Sequence, residues 1–335
     1  MANAKKIKFK DTDCILLSAD GYEAVVCPSI GNQVLRFKSY DPDCEIFRYR
    51  EDVTIDTIKE APAIWGLPTM YLPNRFDGGI IKTSDSVYKM PINEPDYSNY
   101  LHGFVFKRPY DVDVMTADES KAIVSASFTY NKDDEMYKYF DVDFKITITF
   151  TLSADGLYQE IKLKNFSDKA LPVSIATHTC INAPLVDGGN EEDMLLTVPI
   201  EKKCELSDRF LPTEKLLELS DWDKEYKNGK KRPTGQVIEN DMYTAGSAEL
   251  FGKPFNGTIV KDTAKKVLLQ NEVSEEFKFY NMWNDLGDKG YFCPEPMTAM
   301  INSPNLTLDR EISGYKELKS GEEFSCHQSF KIVKE

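Results

Sequence analysis

Phe140-Asp141-Val142-Asp143-Phe144-Lys145-Ile146-Thr147-Ile148-Thr149-Phe150-Thr151-Leu152-Ser153-Ala154-Asp155-Gly156-Leu157 carries the clearest structural pattern in the chain. Phe140, Val142, Phe144, Ile146, Ile148, Phe150 and Leu152 alternate with Asp141, Asp143, Lys145, Thr147, Thr149 and Thr151. A period of two, apolar on one parity and polar on the other, makes a long strand with one buried and one solvated face. Ser153-Ala154-Asp155-Gly156 then reverses the chain, because Asp-Gly supplies the positive φ of a tight turn. Leu157, Ile161 and Leu163 return as the partner strand, against Tyr158, Glu160, Lys162 and Lys164.

Outward from this hairpin the same grammar repeats. Ser18-Ala19-Asp20-Gly21 joins Ile15-Leu16-Leu17 to Tyr22-Glu23-Ala24-Val25-Val26 as a second hairpin. Further strands are expected at 34–37, 46–49, 122–130, 173–176, 194–198, 267–270, 277–282 and 324–333. Helical periodicity is scarce: 213–219 reads as a short capped helix, and the polar stretch 221–234 as a long surface loop. Many strands, turn residues between them and almost no helix give an all-β fold, a large antiparallel sandwich. No Gly-, Ser- or Pro-rich linker divides the 335 residues, so residues 1–335 are read as one domain.

Composition narrows the function. A formal charge of −14 argues against nucleic acid or an anionic membrane as partner, since both attract a basic face. No run approaches the about 18 apolar residues of a transmembrane helix. The stretch Met1-Ala2-Asn3-Ala4-Lys5-Lys6 opens on no apolar signal segment, which gives a cytoplasmic expectation. The seven cysteines are scattered and free of C-x-x-C spacing, and read as free, mostly buried thiols. Without H-x-H, H-E-x-x-H or paired Cys/His spacing, a metal site would need ligands from distant segments, and none is expected. The chain also lacks a dinucleotide glycine fingerprint, a phosphate-loop lysine and a G-x-S-x-G elbow, so no cofactor is expected.

Four polar features remain. In Tyr291-Phe292-Cys293-Pro294-Glu295-Pro296-Met297 a carboxylate sits between two prolines with fixed φ and no N–H. The residue before a proline is pushed to extended geometry, so Glu295 is held on a stiff rail. Only three histidines occur. His102 lies in Asn99-Tyr100-Leu101-His102-Gly103-Phe104, and His178 ends the apolar strand Val173-Ser174-Ile175-Ala176. His327, near the C-terminus, reads as a structural histidine. Pro73-Asn74-Arg75 completes the set, while Trp65, Trp222, Trp283 and 17 tyrosines can offer stacking surface to a sugar ring. A carboxylate and an imidazole on opposite sides of a small polar ligand form a general base and general acid, and need no cofactor where only protons move.

Taken in order, Leu72-Pro73-Asn74-Arg75, Leu101-His102-Gly103, Thr177-His178 with Asn182, and Glu295-Pro296 with Thr298 and Asn302-Ser303-Pro304-Asn305 resemble the aldose 1-epimerase (galactose mutarotase) family. The resemblance implies a galactose mutarotase-like supersandwich, a large twisted β-sandwich with a sugar cleft. It implies that Glu295 takes the proton of the anomeric hydroxyl and that His178 protonates the ring oxygen. His102, Arg75 and Asn74 would bind the sugar, and Asp241 is the best match to an aspartate of the family that also touches it. The partner implied is a small hexose, bound by a monomer or homodimer. Phe104 stands where many members have a second glycine, and Thr179-Cys180-Ile181 where many have an aromatic pair, so the pocket wall differs. Three readings stay open: a mutarotase on a free or 6-phosphorylated hexose, a non-catalytic sugar-binding protein, and a glycan lyase or hydrolase. The last would use Asp241 as a second carboxylate.

Overall fold

The computed structural model describes residues 1–246, 248–250 and 252–335. Phe144–Ser153 and Gly156–Asn165 pair antiparallel, in register from Phe144↔Asn165 to Ser153↔Gly156. The period of two does what it dictates: Phe144, Ile146, Ile148, Phe150 and Leu152 are all fully buried. The strand begins at Phe144, although Phe140 and Val142 are also fully buried against the core. This hairpin lies within an eight-stranded antiparallel sheet. Its order is Asp111–Ala117, Lys121–Tyr130, Phe144–Ser153, Gly156–Asn165, Glu323–Lys334, Val267–Val273, Gly257–Asp262 and Met194–Thr197.

A second sheet runs in the order Pro212–Leu217, Ile200–Leu206, Asp241–Ala245, Phe279–Trp283, Tyr291–Met297, Ile175–Thr177 and Thr69–Tyr71. The short strand Ile181–Asn182 also pairs with Tyr291–Met297. The inner faces of the two sheets meet in one core. The Tyr71 ring of the second sheet packs edge-on to Phe144 of the first at 5.1 Å between centroids. A buried amide relay crosses the same gap, with Gln328 donating to Gln159 at 2.6 Å and Gln159 donating to Thr69 at 2.9 Å. Buried amides are tolerated there because their partners are also buried. A five-stranded N-terminal sheet, Asn3–Phe9 to Asp43–Glu45, contains the second predicted hairpin. The architecture is the expected antiparallel sandwich, and among the described residues no helix is long and apolar enough to cross a membrane.

Three local expectations fail for stated reasons. Residues 213–219 are not helical. Pro212–Leu217 is an edge strand, with Leu216 opposite Cys204 and Leu217 opposite Lys203, so cross-strand hydrogen bonds outcompete a helix too short to be stable alone. Within 221–234, Asp221–Lys227 is a helix rather than loop, closed by a capping box between Ser220 and Asp223. Residues 46–49 form no strand, only an isolated bridge from Phe47 to Ile181.

Candidate active site

The centre of the second sheet carries a small grid of side chains. Asn281 pairs with Glu295, and Trp283 with Cys293. On the other side, Ala176 pairs with Met297 and Ile181 with Phe292. Both pairs share one register, which sets His178 opposite Glu295 and Cys180 opposite Cys293. Because side chains alternate along a strand, His178, Glu295 and Asn281 form one row on one face. Cys180, Cys293 and Trp283 form the next row on that face. The two prolines explain why the rows are open between the second and third segments. Thr298 donates its N–H to Ile175, so by alternation Pro294 and Pro296 also face the histidine segment. Neither has an N–H to give, and the ladder lapses there.

Within the first row, His178 Nε2 lies 3.4 Å from Glu295 Oε1. Asn281 Nδ2 donates to the same oxygen at 3.1 Å. His178 is 4 % exposed and Glu295 3 %. Burial is the largest single influence and acts against the His178 charge, but the adjacent Glu295 carboxylate, Cys180 at 3.5 Å from Nδ1 and a backbone hydrogen bond together overcome it and lift His178 to about 9. Glu295 is raised above the ordinary carboxylate value by burial, against the opposing pull of His178 and the Asn281 hydrogen bond. At neutral pH the two form a buried imidazolium–carboxylate pair.

His102 arrives from another direction. Arg75–Asp77 and Asn99–Leu101 pair with Leu101 opposite Arg75, which brings both polar segments together. His102 has φ +65° and Gly103 φ +66°. A Cβ on Gly103 would stand 2.1 Å from the Tyr71 carbonyl oxygen, so only glycine fits. The His102 ring lies 5.4 Å from that of His178, edge to face. Its Nδ1 accepts the Asn74 backbone N–H at 3.4 Å, which puts the ring proton on Nε2, free to donate. Burial, together with the neighbouring His178 and Arg75 charges, pushes His102 well below 6.5. One imidazole is thus charged and its neighbour neutral.

Arg75 is clamped by Glu94 through Nε at 3.0 Å and Nη2 at 2.9 Å. Its guanidinium lies 4.6 Å from the Phe210 ring, and Nη1 donates to Asn240 Oδ1 at 3.1 Å. Glu295, His178, His102, Asn74 and Arg75 are therefore brought to one face. Asp241 is not brought to the pair. It stands opposite Met282, whereas Met242 stands opposite Asn281, so its carboxylate leaves the sheet on the alternate face and is taken by Lys203 Nζ at 2.8 Å. Its neighbour Asn240 holds the position beside Arg75. His327 lies exposed on the other sheet against Tyr158.

The acid and base also stand side by side, in contact, rather than across a ligand as the residues alone suggested. Sequence reasoning passed over Asn281, Asn240, Glu94, Cys180 and Cys293. Asn281 had a signal, being the one polar residue in the apolar strand Phe279-Tyr280-Asn281-Met282-Trp283. The cysteines had none.

Comparison with known proteins bears on the family and the fold. The family described as aldose 1-epimerase matches residues 13–331. A galactose mutarotase-like protein from Clostridium acetobutylicum superposes with a TM-score of 0.97 at 34% identity, covering 100% of this chain and 99% of that one. A galactose 1-epimerase from Lactobacillus acidophilus gives a TM-score of 0.75 at 15% identity, covering 100% and 99%. An aldose epimerase homologue from C. elegans gives 0.72 at 15%, with the same coverage. The last two are similar in fold alone.

Proposed function

The chain belongs to the aldose 1-epimerase family, and from that premise we propose that it interconverts the α and β anomers of a hexose by acid–base ring opening. The observation that carries this reading is the buried His178–Glu295 pair, with Nε2 and Oε1 3.4 Å apart. The two oxygens that exchange protons in mutarotation are bonded to the same carbon. An acid and a base serving them must therefore be neighbours on one surface, as these are. Glu295 accepts the proton of the anomeric hydroxyl while His178 donates one to the ring oxygen. The C1–O5 bond breaks, the anomeric oxygen becomes the aldehyde, and no atom is gained or lost. Rotation about C1–C2 presents the other face of the carbonyl, and the same two protons return as the ring closes.

His102, donating through Nε2, and the Arg75–Asn74–Asn240 cluster hold the sugar hydroxyls. Arg75 is preorganised for this by its Glu94 clamp, which lowers the cost of ordering it on binding. Asp241 has no part in this scheme. The glycan-cleaving alternative needs a second carboxylate, and Asp241 is committed to Lys203 while Glu94 is committed to Arg75. Beyond Asn240 lies a cleft of about 450 Å³ bordered by Glu205, Asp208, Glu239, Asp241 and Lys203. Four carboxylates against one ammonium favour a neutral sugar over a hexose phosphate.

The test is an NMR exchange measurement of anomer interconversion for glucose, galactose and their 6-phosphates. The expected result is a rate well above buffer for a free aldose. A folded protein that accelerates none of them refutes the proposal, and sugar binding without exchange would select the non-catalytic reading.

A further inference from the structure

The second row of the grid is unused by the acid–base chemistry, yet its two cysteines join His178 of the first row in a cluster of three metal donors. His178 Nδ1 lies 3.5 Å from Cys180 Sγ, and Cys293 Sγ lies 3.4 Å from Cys180 Sγ. All three donor atoms fall within 4.8 Å of one another, and both thiols are at most 1 % exposed. We propose that His178 Nδ1, Cys180 and Cys293 form a binding site for a thiophilic cation of the zinc class, and that its occupation switches the epimerase off.

A tetrahedral zinc with metal–sulfur bonds of about 2.3 Å has sulfur–sulfur edges of about 3.8 Å. The two edges that meet at Cys180 match such a face to within a few tenths of an ångström, and the third lies within 4.8 Å, so ligation needs a small rearrangement of side chains. Two thiolates, one neutral imidazole and a divalent cation sum to zero charge, which is what a buried site tolerates. The fourth position is left to water, since the three protein donors lie on one side. Soft sulfur donors select zinc over magnesium or calcium.

The partner that would orient the histidine is present as well. A histidine that binds metal through one ring nitrogen characteristically donates its other N–H to a carboxylate, and His178 Nε2 faces Glu295 at 3.4 Å. This same arrangement connects the site to catalysis. With metal on Nδ1 the imidazolium cannot form, and a metal-bound neutral imidazole gives up its remaining Nε2–H far less readily than an imidazolium does. The general acid is withdrawn. Inhibition, unlike binding, rests on the mutarotase reading given above.

The binding test uses cobalt as an optical probe. Reduced full-length protein is titrated with Co²⁺, then with Zn²⁺ in competition, with Mg²⁺ as control. Expected are one Co²⁺ per chain, the intense near-ultraviolet absorption of thiolate–cobalt bonds, its displacement by Zn²⁺ and indifference to Mg²⁺. Cys14 and Cys27 also touch, so Cys293→Ser and, independently, His178→Asn are required to weaken binding, by about 100-fold or more. The second variant keeps the assignment testable should the first not fold. Absence of the absorption, its persistence in whichever variant folds, or a mass loss of two hydrogens with no metal taken up would overturn the site.

Activity is read separately. Zn²⁺ should abolish wild-type mutarotation, a chelator should restore it, and Cys293→Ser should keep its rate in zinc. Stoichiometric zinc with an unchanged rate would overturn the switch. A protein silent in every mutarotation assay would refute the proposed function, leaving the cobalt spectrum to decide the site.

Discussion

Glu295→Gln perturbs the site with the least change of shape, and its consequences can be worked through in sequence. The lift of His178 from 6.5 to about 9 corresponds, at about 1.4 kcal/mol per tenfold change in proton affinity, to about 3 kcal/mol of preference for the imidazolium. The carboxylate is the largest single contribution to that preference, ahead of Cys180. With an amide in its place, burial is opposed by Cys180 and a backbone hydrogen bond alone, and His178 should lose its proton at a clearly lower pH than in the wild type. Fewer molecules would then hold the catalytic proton at mildly alkaline pH.

The variant therefore loses its base directly and its acid indirectly. A general acid or base contributes about 10²–10⁴-fold each, and groups that act in one step do not multiply freely, so kcat should fall by about 10³-fold or more. The fold should persist. The introduced glutamine side chain can accept from Asn281 Nδ2 through its carbonyl and donate its amide to neutral His178, so the substitution strands no further buried polar group. The measurement is an NMR titration of the three imidazoles in chelator-treated protein, paired with anomer exchange. A His178 that still titrates near 9 in Glu295→Gln would refute the electrostatic account. A rate within tenfold of wild type would refute the base assignment.

Further outcomes are expected from the same geometry. In metal-free buffer, mutarotation above the solvent rate should trace a bell. Protonation of Glu295, raised above 4.5 by burial, closes it on the acid side, and loss of the His178 proton near pH 9 closes it on the alkaline side; a rate that keeps climbing past pH 10 would contradict this. Gly103→Ala should depress both stability and kcat, because the new Cβ meets the Tyr71 carbonyl at 2.1 Å and displaces His102; an unchanged melting temperature and rate would show that loop to be slack. Asn240→Ala should raise KM with little change in kcat, since it removes a partner of Arg75 and not a proton carrier, whereas Asp241→Asn should leave both near wild type. Phe150→Ala, at a fully buried position of the long hairpin, should cost about 3–5 kcal/mol in chemical denaturation without altering the pH profile of what remains folded.

Some of this molecule is local physics and was open to reading from the chain. The alternation from Phe144 to Leu152 specifies a half-buried strand wherever it is placed, and Asp155-Gly156 specifies the turn after it. Pro294 and Pro296 impose extended geometry on Glu295 through their own rings, without help from the rest of the fold. Such features depend on φ, ψ and side-chain polarity within a few residues.

Other features depend on what the fold brings alongside. Residues 213–219 carry a helix-like pattern, yet an edge of the second sheet offered hydrogen bonds that the isolated segment could not match. Asn240, and not its neighbour Asp241, faces Arg75 because a strand turns successive side chains to opposite faces. The shared register of the histidine and glutamate segments aligns His178 with Glu295, and two residues along it aligns Cys180 with Cys293. Neither contact leaves a trace in spacing. Nor does the charge on His178, which exists because desolvation and a carboxylate from a distant segment act on one ring. Strands, turns and the stiffness of the Glu295 rail follow from short runs of residues; which side chains became neighbours followed from the assembled fold, because register and burial are properties of paired segments and not of either one alone.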